Sequence, residues 1–349
     1  MKSLTEAFLS NLSFSHEQLS MLKLIGSYQG KQALFYEQSP EVLESLQKVS
    51  VIESTESSNR IEGIIAPHNR IADLVLKNTM PKNRSEEEIA GYRDVLNLLH
   101  QSASDMPVMI NVILQLHHYM HQYVASEGGK WKSVDNKIEE KLPDGTINVR
   151  FIPVSAFETS QAMDSLVSGY HDCLEKWNLE PLIVIPVFVL DFLCIHPFRD
   201  GNGRCSRLLT LLLLYHFGYE VGRYISLERV FEESKESYYN ALGKSSQGWH
   251  DGEHNILPWI GYFWGVLLKA YREFEERVGY ITSGKGSKTE QVKVYVQRMI
   301  KPFSVSDIEK ACPGVSRDTI RLVLRSMRDD GAIEATGMGR GAKWKHVRK

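Results

Sequence analysis

Apolar residues recur at three- and four-residue spacing along most of the chain. Pro40–Ser58, Ser85–Gln101, Val108–Tyr123 and Ala162–Trp177 all carry this period, which predicts amphipathic helices. Ser39-Pro40-Glu41 reads as a helix start, with a capping hydroxyl, a proline at the first position and then a carboxylate. Two stretches are apolar nearly all round. Pro181–Ile195 is interrupted only by Asp191, and Leu208–Phe217 follows a polar segment. Both are too short to span a bilayer comfortably, so they predict buried helices and no membrane partner. The aromatic run Trp259–Trp264 reads as another buried helix face.

Three regions depart from the helical pattern. Residues 131–153 alternate apolar and polar positions around Pro143-Asp144-Gly145, which predicts a β-hairpin inserted among the helices. Residues 279–288 are rich in Gly, Ser and Lys and predict a linker. Beyond it, helices are expected over Thr289–Ile300, Val305–Cys312 and Ser316–Asp329, with Ser316 as an N-cap. Two β-prone runs flank residues 338–341. The expected fold class is mainly α, with a hairpin in the core and a small α+β module at the C-terminal end. The divisions are 1–105, 106–278, the linker 279–288 and 289–349.

Composition adds the scale. At about 150 residues per domain, 349 residues suggest two or three folded units. With 42% hydrophobic and 24% charged residues, a sizeable core is expected and extensive disorder is not. The net charge of −2 excludes a globally basic nucleic-acid binder. It is unevenly spread, however: residues 288–349 hold 14 Lys and Arg against 7 Asp and Glu, leaving the tail at +7 and the rest at −9. That asymmetry points to a module with an anionic partner. Cys173, Cys194, Cys205 and Cys312 have no metal or disulfide spacing, and the first residues lack a signal-peptide pattern, so a reduced, cytoplasmic setting is expected.

The chemistry concentrates in His196-Pro-Phe-Arg-Asp-Gly-Asn-Gly-Arg-Cys-Ser-Arg207, a polar loop between the two apolar helices. Gly201, Asn202 and Gly203 at a helix start allow backbone N–H groups to approach an anion. Arg204 and Arg207, three apart, can clamp a polyphosphate from one face. Asp200 offers a hard oxygen to the Mg²⁺ that accompanies a nucleotide. His196 suits a general base. Phosphoryl or nucleotidyl transfer is the reaction class that fits.

The string resembles the signature of the Fic family, His-x-Phe-x-(Asp/Glu)-Gly-Asn-Gly-Arg-x-x-Arg, at every fixed position, and the resemblance extends over roughly residues 40–275. It implies a Fic-type helical core and transfer of AMP from ATP to a Ser, Thr or Tyr hydroxyl of a protein target. It also implies roles. His196 deprotonates the target hydroxyl, and Asp200 holds Mg²⁺ on the α- and β-phosphates. Gly201, Asn202 and Gly203 cradle the phosphates, Arg204 helps to hold them, and Arg207 pairs with the γ-phosphate. Phe198 is a buried anchor. The hairpin corresponds to the family's flap, with Ile147, Asn148, Val149, Arg150 and Phe151 on its nucleotide-facing edge, pairing with the target by strand addition. Tyr238 and Tyr239 resemble the aromatic pair beside the adenine, with Ser246 and Gln247 near the base.

Upstream, Ser58-Asn-Arg-Ile-Glu62-Gly63 matches the family's inhibitory motif, (Ser/Thr)-x-x-x-Glu-(Gly/Asn). Ser58 and Glu62 share a helical face, and Gly63 ends the helix, which covers about 40–63. The resemblance implies an autoinhibited class II member in which Glu62 takes the γ-phosphate's place on Arg207. The tail resembles a winged helix-turn-helix domain. Arg317, Arg321, Arg325 and Arg328 lie on its recognition helix, and Arg340 and Lys343 on its wing. Its partner is duplex DNA or another protein. The second reading of the whole chain is a DNA-binding regulator whose core senses nucleotide. AMP removal, self-modification and a homodimer are left open. His117, His118 and His121 have partial metal-ligand spacing but no third ligand, and read as packed or surface histidines. His250 and His254 lie in a Gly- and Asp-rich loop and are given no role.

Overall fold

A computed structural model describes residues 3–38, 40–125, 127–141, 145–282, 288–299, 302–312, 314–337 and 342–346. The chain opens with α1 (Glu6–Ser10), α2 (His16–Gln38), α3 (Pro40–Ile61), α4 (His68–Lys77), α5 (Arg84–Ser102) and α6 (Ile110–Met120). A hairpin follows, β1 (Ile138–Lys141) and β2 (Ile147–Phe151), then α7 (Thr159–His171), α8 (Pro181–Ile195) and α9 (Asn202–His216). The core ends with α10 (Leu227–Glu233), α11 (Lys235–Ser246) and α12 (Leu257–Thr282). The last segment comprises α13 (Lys288–Arg298), β3 (Phe303–Ser304), α14 (Val305–Ala311), α15 (Arg317–Asp329), β4 (Ile333–Thr336) and β5 (Lys343–His346). The mainly α expectation holds. Among the described residues no helix is long and apolar enough to cross a membrane.

Helix α8 sits at the centre because its sequence leaves it no solvent-facing side. Val184, Ile185, Val187, Phe188, Leu190 and Phe192 are all buried, against α7, α9, α11 and α12. Pro186 lies inside the helix and has no N–H, so the carbonyl of Leu182 loses its usual helical donor. The indole of Trp264 supplies one, donating to Leu182 O at 2.8 Å, and Trp259 donates to Pro186 O at 2.8 Å. The aromatic run of α12 is therefore buried as expected, and it also repairs α8. Asp191, the single charge of α8, accepts from Ser3 Oγ and Trp249 Nε1, and burial pushes its carboxyl up to about 7.

Helix α3 packs on α5 and α10. Its expected start at Ser39 lies outside the described residues. At its other end Gly63 adopts φ +80 and its N–H bonds Arg60 O, the left-handed turn that a C-terminal glycine provides.

The hairpin is shorter than the pattern indicated. Strands occupy only 138–141 and 147–151, antiparallel, with Ile138 opposite Phe151, Lys141 opposite Ile147 and a bulge after Ile138. Residues 131–137 are not strand. Lys132 donates its backbone N–H to Pro197 O at 2.8 Å, so this stretch follows the polar loop instead of a second strand. Of the turn residues, Pro143 and Asp144 lie outside the described residues. The linker is also shorter: α12 continues through Thr282 and α13 begins at Lys288, and residues 283–287 between them lie outside the described residues. The 26-residue α12 keeps its buried period up to the expected domain edge, through Phe274 and Val278, and its backbone stays helical to Thr282.

The C-terminal segment buries a separate core of Val292, Val296, Phe303, Ile308, Ile320, Val323, Leu324 and Ile333. Its strands form one antiparallel sheet in the order β3-β5-β4. Ser304 and Asp307 form a capping box on α14, and Ser316 Oγ accepts the Thr319 N–H at 3.2 Å to start α15.

Candidate active site

The polar loop turns on its first residue. His196 ends α8 with φ +51 and ψ +58, a left-handed conformation that costs a residue with a Cβ about 1–2 kcal/mol. Pro197 follows, and proline disfavours helical backbone in the residue before it. The turn brings the His196 ring to the wall of a cavity of about 530 Å³ lined also by Glu62, Arg150, Gly203, Lys235 and Tyr239. Its Nδ1 lies 3.3 Å from Leu193 O, so it carries the proton and Nε2 keeps the lone pair. Burial lowers the pKa of this ring to about 4, which leaves it neutral near pH 7.

Asn202 opens α9 from within. Its amide bonds both the N–H and the carbonyl of Phe198 at 2.8 Å, closing the loop on itself, and Phe198 is fully buried. Asp200 reaches outward: its side chain is 65% exposed, and its Oδ1 accepts the Gly201 N–H at 2.6 Å.

Arg207 points from α9 toward α3. Its Nε donates to Ser58 Oγ at 2.8 Å, and Nη2 donates to both Ser58 O and Glu62 Oε1 at 2.8 Å. Burial works against this guanidinium, and the Glu62 carboxylate outweighs it with help from nearby tyrosines, leaving the pKa above its ordinary value. Glu62 lies directly over the start of α9. A Cβ built on Gly203 would stand 2.2 Å from Glu62 Oε1, so only glycine admits this approach. Ser58 and Glu62, four residues apart, thus meet Arg207 as a unit.

Arg204 departs from its expected place. It is 1% exposed, ion-paired to Glu88 Oε2 at 2.8 Å, with Asp200 Oδ1 at 3.9 Å. The two arginines diverge because α9 lies between helices: Arg207 turns to α3 and Arg204 to α5. Arg204 braces the loop from beneath and presents no surface to a phosphate.

Tyr238 and Tyr239 both line the cavity. Tyr238 is buried among Phe231, Trp259 and Tyr262, whereas Tyr239 carries the guanidinium of Arg150 5.2 Å above its ring. Ser246 lines the cavity too, and Gln247 is not among its lining residues. From the flap, Arg150 and Phe151 face the cavity, while Ile147 and Val149 are exposed, at 66% and 42%.

Residues 107–214 match the family model described as the Fic/DOC family. The chain carries a Fic domain. Over 156 residues it is 23% identical to the "Protein adenylyltransferase Fic" of Culex quinquefasciatus, covering 44% of this chain and 27% of that protein. Over 158 residues it is 31% identical to an Ostreid herpesvirus 1 protein named "Ribonucleoside-diphosphate reductase small chain", covering 41% of this chain and 26% of that one. The chain therefore spans about a quarter of the length of these curated relatives. Its fold is similar to the crystal structure of a Fic family protein from Desulfovibrio desulfuricans G20, with a TM-score of 0.62 and 20% identity over 97% of this chain and 98% of that chain.

Several residues of the Fic domain's loop support were not apparent in the sequence. His117 stacks on Phe198, with ring centroids 3.6 Å apart, and its Nε2 lies 3.0 Å from Asp200 O. Burial holds this ring near a pKa of about 3, so it is neutral. Lys132 Nζ donates to Ile195 O at 3.0 Å, and Asn136 Nδ2 donates to Phe198 O at 3.2 Å. His250 stacks on Phe151 of the flap, and its Nε2 donates to Ile152 O at 2.8 Å. Each is a lone polar residue whose partner is a backbone atom far along the chain, and no local pattern marks such a pair.

Proposed function

We propose that the protein transfers AMP from ATP to a hydroxyl of a protein Ser, Thr or Tyr, and that Glu62 holds it in an inhibited state. One observation carries this reading: the Glu62–Arg207 ion pair at 2.8 Å stands over Gly203 in the same cavity that holds His196. The lone pair on His196 Nε2 accepts the proton of the target hydroxyl. The oxygen bonds the α-phosphorus, the bond from that phosphorus to the bridging oxygen breaks, and pyrophosphate leaves. Backbone N–H groups at the start of α9 and Arg207 receive the phosphates.

Asp200 would hold the Mg²⁺. Among the described residues no group of three or more His, Cys, Asp or Glu side chains is placed to bind a metal ion. A single exposed carboxylate still fits Mg²⁺, which takes one or two carboxylates, substrate phosphates and water. Bound there, the ion neutralises charge on the phosphates. Glu62 inhibits by occupying Arg207, so that this guanidinium is not free to receive a γ-phosphate.

Incubation with ATP labelled at either the α- or the γ-phosphate tests the reading. Glu62→Gly is expected to place α-label on protein, well above wild type, and to place no γ-label. Label from the γ-phosphate would contradict it.

The C-terminal module supports a second element. From its order of helices and strands we propose a winged helix that engages a protein partner. Three arginines of α15 already have carboxylate neighbours: Arg317 with Glu309 at 3.7 Å, Arg321 with Asp318 at 3.4 Å and Arg328 with Asp329 at 2.8 Å. Leu322, on the same helix, is 66% exposed. Tight duplex DNA binding with a steep salt slope would overturn this choice.

A further inference from the structure

The loop from His196 to Gly203 is anchored by the buried Phe198 and Asn202, but Arg199 and Asp200 between them are exposed and add little packing. Its backbone is also held by groups from outside. His117 is the most specific of these. Its Nδ1 accepts the Gly129 N–H at 2.9 Å, which fixes the proton on Nε2, and Nε2 donates to Asp200 O at 3.0 Å. The ring lies flat against Phe198 at an interplanar angle of 5° and is 4% exposed. The contact with α6 is close: a Cβ on Gly201 would stand 2.8 Å from Met120 Cε and 3.5 Å from His117 Nε2. One imidazole thus spans two backbone groups and the aromatic anchor of the loop.

We infer that His117 is a positioning residue that sets the backbone of Asp200 and, through it, the carboxylate offered to Mg²⁺. This rests on the reading of Asp200 as the metal-binding carboxylate. Mg²⁺ demands near-ideal ligand geometry, and groups that orient a metal ligand typically change its affinity by about 10–100-fold.

Three substitutions in the Glu62→Gly protein test it. In His117→Gln the side-chain amide reaches the position of Nε2 and keeps the donor to Asp200 O. In His117→Asn it is one carbon shorter and loses that donor. His117→Phe keeps the stack on Phe198 and loses both hydrogen bonds. Two quantities are read: amide hydrogen exchange over residues 196–204, and the Mg²⁺ concentration giving half-maximal transfer. His117→Asn and His117→Phe are expected to raise both by about tenfold or more, while exchange in α8 and α12 stays unchanged. His117→Gln is expected to stay within about threefold of the parent. If the asparagine and phenylalanine proteins match the parent in both readouts, or if all three substitutions shift them equally, the inference is wrong. If Glu62→Gly transfers no nucleotide, the proposed function fails instead, and the exchange of residues 196–204 still decides the role of His117.

Discussion

Helices α3 and α8 are both buried against the same core, and they are held in opposite ways. Around Val184–Phe192, α8 contacts its neighbours almost wholly through aliphatic and aromatic side chains. Between Glu53 and Asn59, every buried residue of α3 is polar: Glu53, Ser54, Thr55, Ser57, Ser58 and Asn59. Ser54 donates to Glu228 at 2.7 Å, Glu53 accepts from Arg229 at 3.1 Å, and Ser58 meets Arg207. Thr55 Oγ1, Asn59 Oδ1 and Glu53 Oε1 lack partners among the described residues. Lifting α8 would return large apolar surfaces to water, at about 1.5–3 kcal/mol per side chain. Lifting this part of α3 exchanges hydrogen bonds to charged groups for water, at a net of about 1.5–3 kcal/mol each. The two stretches are thus held by different kinds of contact, one apolar and one polar.

The largest effects expected fall on the side of α8. In the Glu62→Gly background, His196→Ala should lower AMP transfer by roughly 10²–10⁴-fold, measured as initial rate, because it removes the proposed general base. Phe188→Ala should cost about 3–5 kcal/mol in denaturant unfolding, since α8 cannot close the space. Equal costs for Phe188→Ala and Ser54→Ala would remove the contrast between the helices.

Glu62→Gly itself should raise transfer by roughly 5–150-fold, the span of an ordinary coupling of about 1–3 kcal/mol. Ser54→Ala removes a donor from the buried Glu228 and should lower stability by about 1.5–3 kcal/mol, and raise wild-type transfer slightly, by loosening α3.

The pH dependence sharpens the same point. His196 is held near a pKa of about 4, so the acid limb of the Glu62→Gly pH–rate profile should lie near 4, well below the 6.5 of an ordinary histidine. His100 and His117 are pushed down to about 3 by burial. In the unfolded chain these rings take up protons first, below about 6.5, so stability should fall as the pH drops from there toward 4. A stability curve flat across that window would contradict it.

Much of this was legible in the sequence because it is local. The period of Pro181–Ile195 and the string from His196 to Arg207 each fit within one element and its turn. Ser58 and Glu62 sit four apart, and one helical turn brings both to Arg207. The errors arise where the decisive partner is distant. Arg204 and Arg207 look equivalent until Glu88 takes one and Glu62 the other. Residues 131–137 alternate like a strand, yet the loop carbonyls that Lys132 and Asn136 serve draw them away from β1. His117 carries no sign that Asp200, on another helix connection, is its partner.

The most direct test of the central claim is the intact mass of the purified wild type, Glu62→Gly and Glu62→Gly/His196→Ala after incubation with ATP and Mg²⁺. A gain of one AMP on Glu62→Gly, much reduced on wild type and absent from the double variant, is the predicted result. Equal AMP addition on wild type and Glu62→Gly, or addition that survives the loss of His196, would contradict the account.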